Sequence, residues 1–326
     1  MKVSWTFFAG LGAGLVLIFG LTVAAFWLNL GARTVTSGWA ADINQKKRLL
    51  ADQVAGPKLL LVGGSATLFG ISAREIQSQT GCPTINLGTH AALGNAYILH
   101  YAQTVAKPGD TVLLALEYEL YNYGKIERAW ADVLLLDFIV ARDPAFFHTL
   151  SPLEKWNVFM LTSNDRLVRG LKSRFRHHRP PGGMGVYTLE NINEWGDQTH
   201  HIQAARSEQR DSITAMRSAL AYGLPERPFG FPLIASFCAW AATNHIRVLA
   251  TFPNLCDQPE YHSPTAQKMA EKIRAFFATL QVPVIGDYTN SLLPPDDFFD
   301  TNSHLTEEAA RARTQRLVAQ LKPYLK

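Results

Sequence analysis

Short apolar runs alternate with amphipathic segments in two separate parts of the chain. Five runs have the length and composition of buried strands: Lys58–Val62, Thr84–Leu87, Thr111–Leu116, Arg247–Phe252 and Val282–Ile285. The amphipathic segments between and after them predict helices over residues 72–81, 91–106, 232–243, 265–280 and 306–321. This alternation predicts a three-layer α/β/α fold with a flavodoxin-like sheet of about five parallel strands.

Residues 120–228 interrupt the alternation. They contain mixed helical segments, the basic run Lys172–Arg179 and a loop-rich stretch over residues 180–185. We interpret this part of the chain as a helical insertion that caps the sheet, within a domain that extends over residues 57–326. A solvated face is the simplest reading of the basic run, and a surface for lipid or polymer is the alternative.

The amino-terminal segment is the longest apolar stretch. Trp5 to Leu30 contains no charged residue and is flanked by Lys2 and Arg33. About 20 apolar residues suffice to cross a bilayer core, whereas a cleavable signal has a shorter apolar core. We therefore predict an anchor over residues 1–31 and a polar, weakly helical connector over 32–56, with cleavage near Ala24 or Ala25 as the alternative. The flanking charges give no clear orientation.

An apolar run at the amino terminus usually acts as an export signal. We therefore expect a single-pass protein of the inner membrane whose bulk domain lies in the periplasm.

Composition excludes several classes of function. The formal net charge of +4 over 326 residues is too small and too dispersed to indicate a nucleic-acid-binding protein. The three cysteines, Cys82, Cys238 and Cys256, are too few for a disulfide framework and form no CxxC pair. The pairs His177-His178 and His200-His201 have no carboxylate or cysteine at ligand spacing, so the sequence predicts neither a metal site nor a cofactor.

Polar and small residues follow the predicted strands, whose carboxyl ends meet at one edge of a parallel sheet. After the five strands in turn come Gly63-Gly64-Ser65, Asn86-Leu87-Gly88, Glu117-Tyr118, Pro253-Asn254, and Asp300 with His304. A serine hydroxyl is a weak nucleophile unless a base takes its proton. We predict Ser65 as the nucleophile, His304 as its base and Asp300 as the carboxylate that orients the imidazole.

An acyl-transfer site also needs donors for the oxyanion. The backbone N–H groups of Ser65 and Gly88 are the candidates, and Asn254 is a weaker third. The simplest alternative is that Gly63-Gly64-Ser65 is only a strand-to-helix turn. A phosphate-binding loop lacks its lysine here, and the GxSxG motif is absent. Asp296 or Asp297 is an alternative to Asp300.

Several of these segments together resemble the SGNH/GDSL hydrolase superfamily. They are Gly63-Gly64-Ser65, Phe69-Gly70-Ile71, Asn86-Leu87-Gly88 and residues 300–306, DTNSHLT. The closest likeness is to the membrane-anchored bacterial branch of DltD-like and alginate-acetylation-like proteins. The resemblance covers about 56–120 and 230–326. It implies Ser65 as nucleophile, Gly88 as oxyanion donor, and Asp300 and His304 as the rest of a triad, although the family spacing is DxxH.

The resemblance also implies a function. Members of this branch act in acylation, secretion or cellulose production at the cell surface, so the expected substrate is an acylated carbohydrate or polysaccharide. The expected activity is that of an O-acyl esterase or acyltransferase with acetyl as the expected acyl group, and the expected partner is a membrane acyltransferase or polysaccharide synthase. Trp130, Tyr187 and Trp195 are candidates for stacking on sugars. The alternatives are a catalytically inactive scaffold of a secretion complex and an esterase that acts on lipids.

Overall fold

The structure is a computed structural model that describes residues 5–123, 133–176, 185–204 and 207–325. The chain forms two compact units. The smaller unit comprises residues 1–38 and 126–181, and the larger unit comprises residues 39–125 and 182–326.

Parallel strands form the centre of the larger unit. In chain order the strands are β1 (Leu59–Val62), β2 (Thr84–Asn86), β3 (Thr111–Leu114), β4 (Arg247–Thr251), β5 (Leu255–Cys256), β6 (Val284–Ile285) and β7 (Leu292–Leu293). Five of them form one parallel sheet in the order β2-β1-β3-β4-β6, and β5 pairs with β7 in a short parallel ribbon. The predicted five strands and their flavodoxin-like order are confirmed.

The helices follow the predicted alternation. Those of the described residues are α1 (Trp5–Asn29), α2 (Gly38–Gln53), α3 (Ser65–Gly70), α4 (Ala73–Thr80), α5 (Gly94–Val105), α6 (Val133–Ala141), α7 (Pro144–Thr149), α8 (Pro152–Leu161), α9 (Asn164–Arg176), α10 (Ser207–Ala215), α11 (Gly230–Thr243), α12 (Pro264–Thr279) and α13 (Glu307–Leu321). Ser72 caps the start of α4, with its hydroxyl accepting a hydrogen bond from the Glu75 N–H, and Gly81 caps the end in the left-handed conformation.

Both faces of the sheet are covered, which makes three layers. Leu59 and Leu61 of β1 point into an apolar cluster that also contains Leu317 and Val318 of α13. Successive strand residues point to opposite faces, so Leu60 lies on the other side, where α5 packs against α11. The chain runs from β1 outward to β2 and then back to β3. The carboxyl ends of β1 and β3 therefore mark the topological switch point, where sites form in such sheets.

The segment between α1 and the sheet is more ordered than the sequence suggests. A weakly helical connector is predicted over residues 32–56, and most of it forms the 16-residue helix α2. Ala40, Ile43, Lys47 and Ala51 are fully buried on one stripe of this helix. Helical spacing of these positions explains the difference, because the stripe gives α2 a face to bury despite its polar composition.

The smaller unit contains α1 and the helices α6 to α9. Helix α1 has 25 residues and is long and apolar enough to cross a membrane. A buried polar cluster follows its end, in which Asp137 accepts hydrogen bonds from Thr34, Ser37 and Arg166. Arg166 also donates to Asn29, the last residue of α1. Residues 120–228 are thus divided, since α6 to α9 belong to the smaller unit and residues 185–228 to the larger one.

Candidate functional site

An aspartate–histidine pair lies in the loop before α13. His304 Nδ1 is 2.7 Å from Asp300 Oδ1, and the imidazole is almost fully buried. The loop is closed by an antiparallel bridge between Phe298 and Leu305, in which the Phe299 N–H donates to the His304 carbonyl at 2.8 Å. This closure turns the chain back on itself, so two side chains four positions apart reach each other outside a helix.

Tyr187 completes this pair as a third polar group. Its hydroxyl donates to Asp300 Oδ2 at 3.0 Å and lies 3.3 Å from His304 Nδ1. Burial alone would raise the pKa of Asp300, but its hydrogen bonds to His304 and Tyr187 and the charge of the imidazole lower the pKa overall. Asp300 therefore stays ionised at neutral pH and holds the Nδ1 proton. The ring nitrogen left to act as a base is Nε2.

Ser65 lies at the carboxyl end of β1, as the first residue of α3. We call residues 63–66 the Ser65 turn. A Cβ on Gly63 would lie 2.5 Å from the Ala115 carbonyl oxygen, and one on Gly64 would lie 2.5 Å from the Ala91 nitrogen. Glycine is therefore required here by the close approach of the backbone. A left-handed conformation is not the reason, because φ at Gly64 is −89°.

Phe69 connects the serine helix to the histidine loop. It lies one helical turn after Ser65, and its ring stacks on the His304 imidazole with a centroid distance of 4.3 Å and an interplanar angle of 13°. Helix α3 and the loop carrying His304 are therefore in direct contact. Within the described residues, the Ser65 hydroxyl makes no hydrogen bond, to His304 or to any other group.

A buried carboxylate lies beneath the Ser65 turn. Glu117, which follows β3, accepts hydrogen bonds from the Gly64 N–H at 3.0 Å and the Ala66 N–H at 2.8 Å. Burial raises the pKa of Glu117 to about 7, although these two bonds act in the opposite direction. The carboxylate fixes the backbone on both sides of Ser65. The Ser65 N–H is left without a hydrogen-bond partner in the part of the chain that the structure describes.

The other two predicted oxyanion donors already have partners. The Gly88 N–H donates to Asn86 Oδ1 at 2.9 Å, and Asn254 Nδ2 donates to the Ser303 carbonyl at 2.6 Å. Gly88 packs closely on α3, because a Cβ there would lie 2.6 Å from the Leu68 nitrogen. In this geometry Gly88 and Asn254 position the loops around Ser65. The Gly88 N–H would have to release Asn86 before it could bind an oxyanion, whereas the Asn254 amide has a second N–H besides the one bonded to Ser303.

Helix α2 supplies residues that the sequence reasoning missed. Lys47 is fully buried and its Nζ donates to the Gly88 carbonyl, while Asn44 accepts from Thr89 Oγ1. Burial lowers the pKa of Lys47 to about 7, and the charge of Asp197 offsets only part of this effect. The stripe of residues 40, 43, 47 and 51 is the sequence signal that could have identified this lysine as buried.

Half-buried aromatic rings border the site. Trp39 packs against Tyr187 at 5.5 Å and against His90 at 5.6 Å, and Phe299 stacks on Phe69 at 6.4 Å. Among the predicted sugar-stacking residues, only Tyr187 has a described place at the site. Trp195 packs on the sheet core beneath the Arg74 guanidinium.

Other predicted positions lie away from the site or outside the description. Asp296 pairs with Arg210 at 2.7 Å, so among the described residues Asp300 is the carboxylate that contacts His304. Trp130 and the pair His177-His178 lie outside the described residues. Those residues also contain no group of three His, Cys, Asp or Glu side chains placed to hold a metal ion.

Together these features define a three-layer α/β protein with an Asp–His–Tyr cluster at the carboxyl edge of its sheet, against a helix that begins with serine. No protein-family model and no curated protein matches the chain. A solved structure from Streptococcus pneumonia that carries the name platelet activating factor is 13% identical. It covers 87% of this chain and 91% of its own, with a TM-score of 0.35.

Proposed function

We propose that the protein is an SGNH-type O-acyl esterase or acyltransferase that uses Ser65 as nucleophile. The observation that carries the proposal is the Asp300–His304 pair, whose imidazole stacks on the helix that Ser65 begins. Orientation of Nδ1 by an ionised carboxylate leaves Nε2 as the base, which is the arrangement that activates a serine hydroxyl.

In this mechanism Ser65 Oγ attacks the carbonyl carbon of an ester as its proton moves to His304 Nε2. Asp300 stabilises the imidazolium, and the Ser65 N–H donates to the oxyanion. Collapse of the tetrahedral intermediate transfers the proton to the leaving alcohol and leaves an acyl group on Ser65. Water or a sugar hydroxyl then attacks the acyl carbon as its proton moves to His304 Nε2, and the bond to Ser65 Oγ breaks as that proton returns to Oγ. Hydrogen bonds between nucleophile and base often form only in the substrate complex, which fits the unpaired Ser65 hydroxyl.

The proposed substrate is an acylated carbohydrate of a cell-surface polysaccharide. The aromatic rings of Trp39, Tyr187 and Phe299 support this choice, because half-buried rings beside a site suit the apolar faces of sugars. We further propose that α1 anchors the protein in the inner membrane, that the larger unit works in the periplasm, and that a membrane acyltransferase or polysaccharide synthase is its partner.

Labelling with a fluorophosphonate probe tests the mechanism. The full chain in detergent should react at one serine, and Ser65→Ala should abolish both labelling and hydrolysis of p-nitrophenyl acetate while leaving thermal unfolding unchanged. Ser78→Ala is the matched control, because Ser78 is exposed on α4. Equal labelling of the wild type and Ser65→Ala would refute the assignment of the nucleophile.

A non-catalytic role is the second candidate. The hydrogen bond that engages the Gly88 N–H favours it, since it removes one of the two backbone donors predicted for an oxyanion. A folded wild-type chain that neither reacts with the probe nor hydrolyses acetyl esters, but binds an acetylated polysaccharide, would establish this role in place of the enzyme.

A further inference from the structure

Helix α8 of the smaller unit exposes an apolar face. Leu153, Trp156 and Met160 are 68%, 48% and 58% exposed, and their spacing of three and four residues places them on one side of the helix. An exposed apolar stripe of this kind marks a surface that contacts another apolar phase.

The helix lies along the apolar anchor. Phe159 of α8 packs edge-on against Phe19 of α1 at 6.0 Å and against Phe26 at 5.4 Å. Phe19 lies ten residues before Asn29, the end of α1, so the contact is about 15 Å along the helix axis from that end. Trp156 contacts Phe159 on the same helix, which connects the exposed stripe to the anchor.

The length of α1 determines where α8 lies if α1 spans a membrane. Were α8 to remain outside the bilayer, the part of α1 left to span it would be residues 5–18, which extend about 21 Å. The hydrocarbon core is about 30 Å thick, so this part is too short. The whole of α1 extends about 37 Å and spans the core only when the Phe19 contact lies within it.

Helix α9 carries positive charge at the level where α1 ends. Asn29 Nδ2 donates to the Leu167 carbonyl at 3.1 Å, and Gly170 approaches the Asn29 side chain closely enough to exclude a Cβ. Arg174 donates to the Leu30 carbonyl at 3.4 Å, and both Lys172 and Arg174 are exposed. Exposed cations at the end of a spanning helix lie at the depth of lipid phosphates.

We propose that α8 lies within the leaflet nearest the end of α1, with Leu153, Trp156 and Met160 against acyl chains, and that Lys172 and Arg174 of α9 contact anionic headgroups. The smaller unit is then a membrane-embedded platform and more than a single spanning helix. This inference rests on the proposed membrane anchoring by α1 and is independent of the chemistry at Ser65.

Lipid quenching in nanodiscs tests the position of α8. The full chain carries an environment-sensitive fluorophore on Trp156→Cys, on Leu17→Cys in α1, or on Tyr222→Cys, an exposed position of the larger unit. The unsubstituted chain, which has its own cysteines, is treated identically to give the background. Lipids brominated on the acyl chains should quench the labels at 156 and 17 strongly and the label at 222 weakly.

The three labelled positions distinguish a wrong position of α8 from a wrong assignment of α1 as the anchor. Strong quenching at 17 with weak quenching at 156 would overturn the position of α8 and leave the anchor intact. Weak quenching at both would overturn the anchor and the inference together. Strong quenching at 222 as well would show contact that is not specific to the platform, and would also overturn the inference.

Anionic lipid tests the role of α9. Amide hydrogen exchange in α9 should be slower in nanodiscs that contain phosphatidylglycerol than in those of phosphatidylcholine alone. The change should be about fivefold for each basic residue that contacts a headgroup. Lys172→Glu with Arg174→Glu should remove this difference, whereas Lys272→Glu in the larger unit should retain it. Equal exchange of the wild type in both lipids would overturn the headgroup contact.

Discussion

Replacement of Lys47 by methionine should change how the stability of the protein depends on pH. Methionine has a similar length and no charge, so it fills the space beside Gly88 without an ionisable group. The folded pKa of Lys47 is about 7 and its ordinary value is 10.5, because the buried ammonium is desolvated. At pH values between these two pKa values, Lys47 is protonated in the unfolded chain and neutral in the folded chain.

The sign and size of the effect follow from this difference. Stability must rise with pH where the unfolded state binds more protons, at about 1.4 kcal/mol per pH unit for one group. From pH 7.5 to 9.5 the wild type should therefore gain about 2–3 kcal/mol relative to Lys47→Met. The total over the full interval is about 5 kcal/mol, which is the order of cost for burying this amine at neutral pH.

Urea unfolding of the full chain in detergent, followed by tryptophan fluorescence at several pH values, measures the effect. The free energies of unfolding of the wild type and the variant are subtracted at each pH, which cancels groups common to both. Lys107→Met is the matched control, because Lys107 is about half exposed and forms only a surface ion pair with Asp52. A difference between the wild type and Lys47→Met that does not change with pH would refute the burial of a neutral lysine beside Gly88.

The remaining predictions concern the site itself. Asp300→Asn should lower kcat for an acetyl ester about ten-thousand-fold with little change in KM, because it removes the charge that orients His304; a small loss would contradict the triad. Tyr187→Phe removes a hydrogen bond that lowers the pKa of Asp300, so the pKa of this carboxyl should rise when it is followed by the pH dependence of its carboxyl carbon NMR shift; an unchanged pKa counts against the role of Tyr187. Gly64→Ala should lower the urea-unfolding free energy by about 3 kcal/mol, whereas Gly12→Ala, with open space around it, should not.

Much of the fold could be predicted because its signals are local. Runs such as Leu59–Val62 are apolar without interruption, which is the pattern of strands buried on both faces of a sheet. The capping serine and the terminating glycine of α4, Ser72 and Gly81, are both recognisable in the sequence. The order of the strands followed from the regular alternation of strands and helices.

The residues that hold the site loops in place could not be predicted in the same way, because they act through contacts between segments that are distant in the sequence. Glu117 follows a strand in the sequence, but nothing near it indicates that its carboxylate binds the Gly64 and Ala66 amides 51–53 positions away. Tyr187 reaches Asp300 from 113 positions away, out of a segment without a regular pattern. Such contacts form only when packing brings distant loops together, so the sequence around each residue does not indicate them.

Two buried ionisable groups hold the loops beside Ser65, and their effects on stability have opposite signs. Glu117 has a raised pKa, so its stabilising contribution is complete below pH 4.5 and is lost as the pH rises through about 7. Lys47 has a lowered pKa, so its destabilising contribution is complete below about pH 7 and disappears toward pH 10.5. Their combined contribution is therefore least favourable near neutral pH. Apolar residues of similar volume would avoid this cost. The proposed active site at Ser65 would account for both groups at the flanking loops, because stability can be given up there to fix backbone geometry.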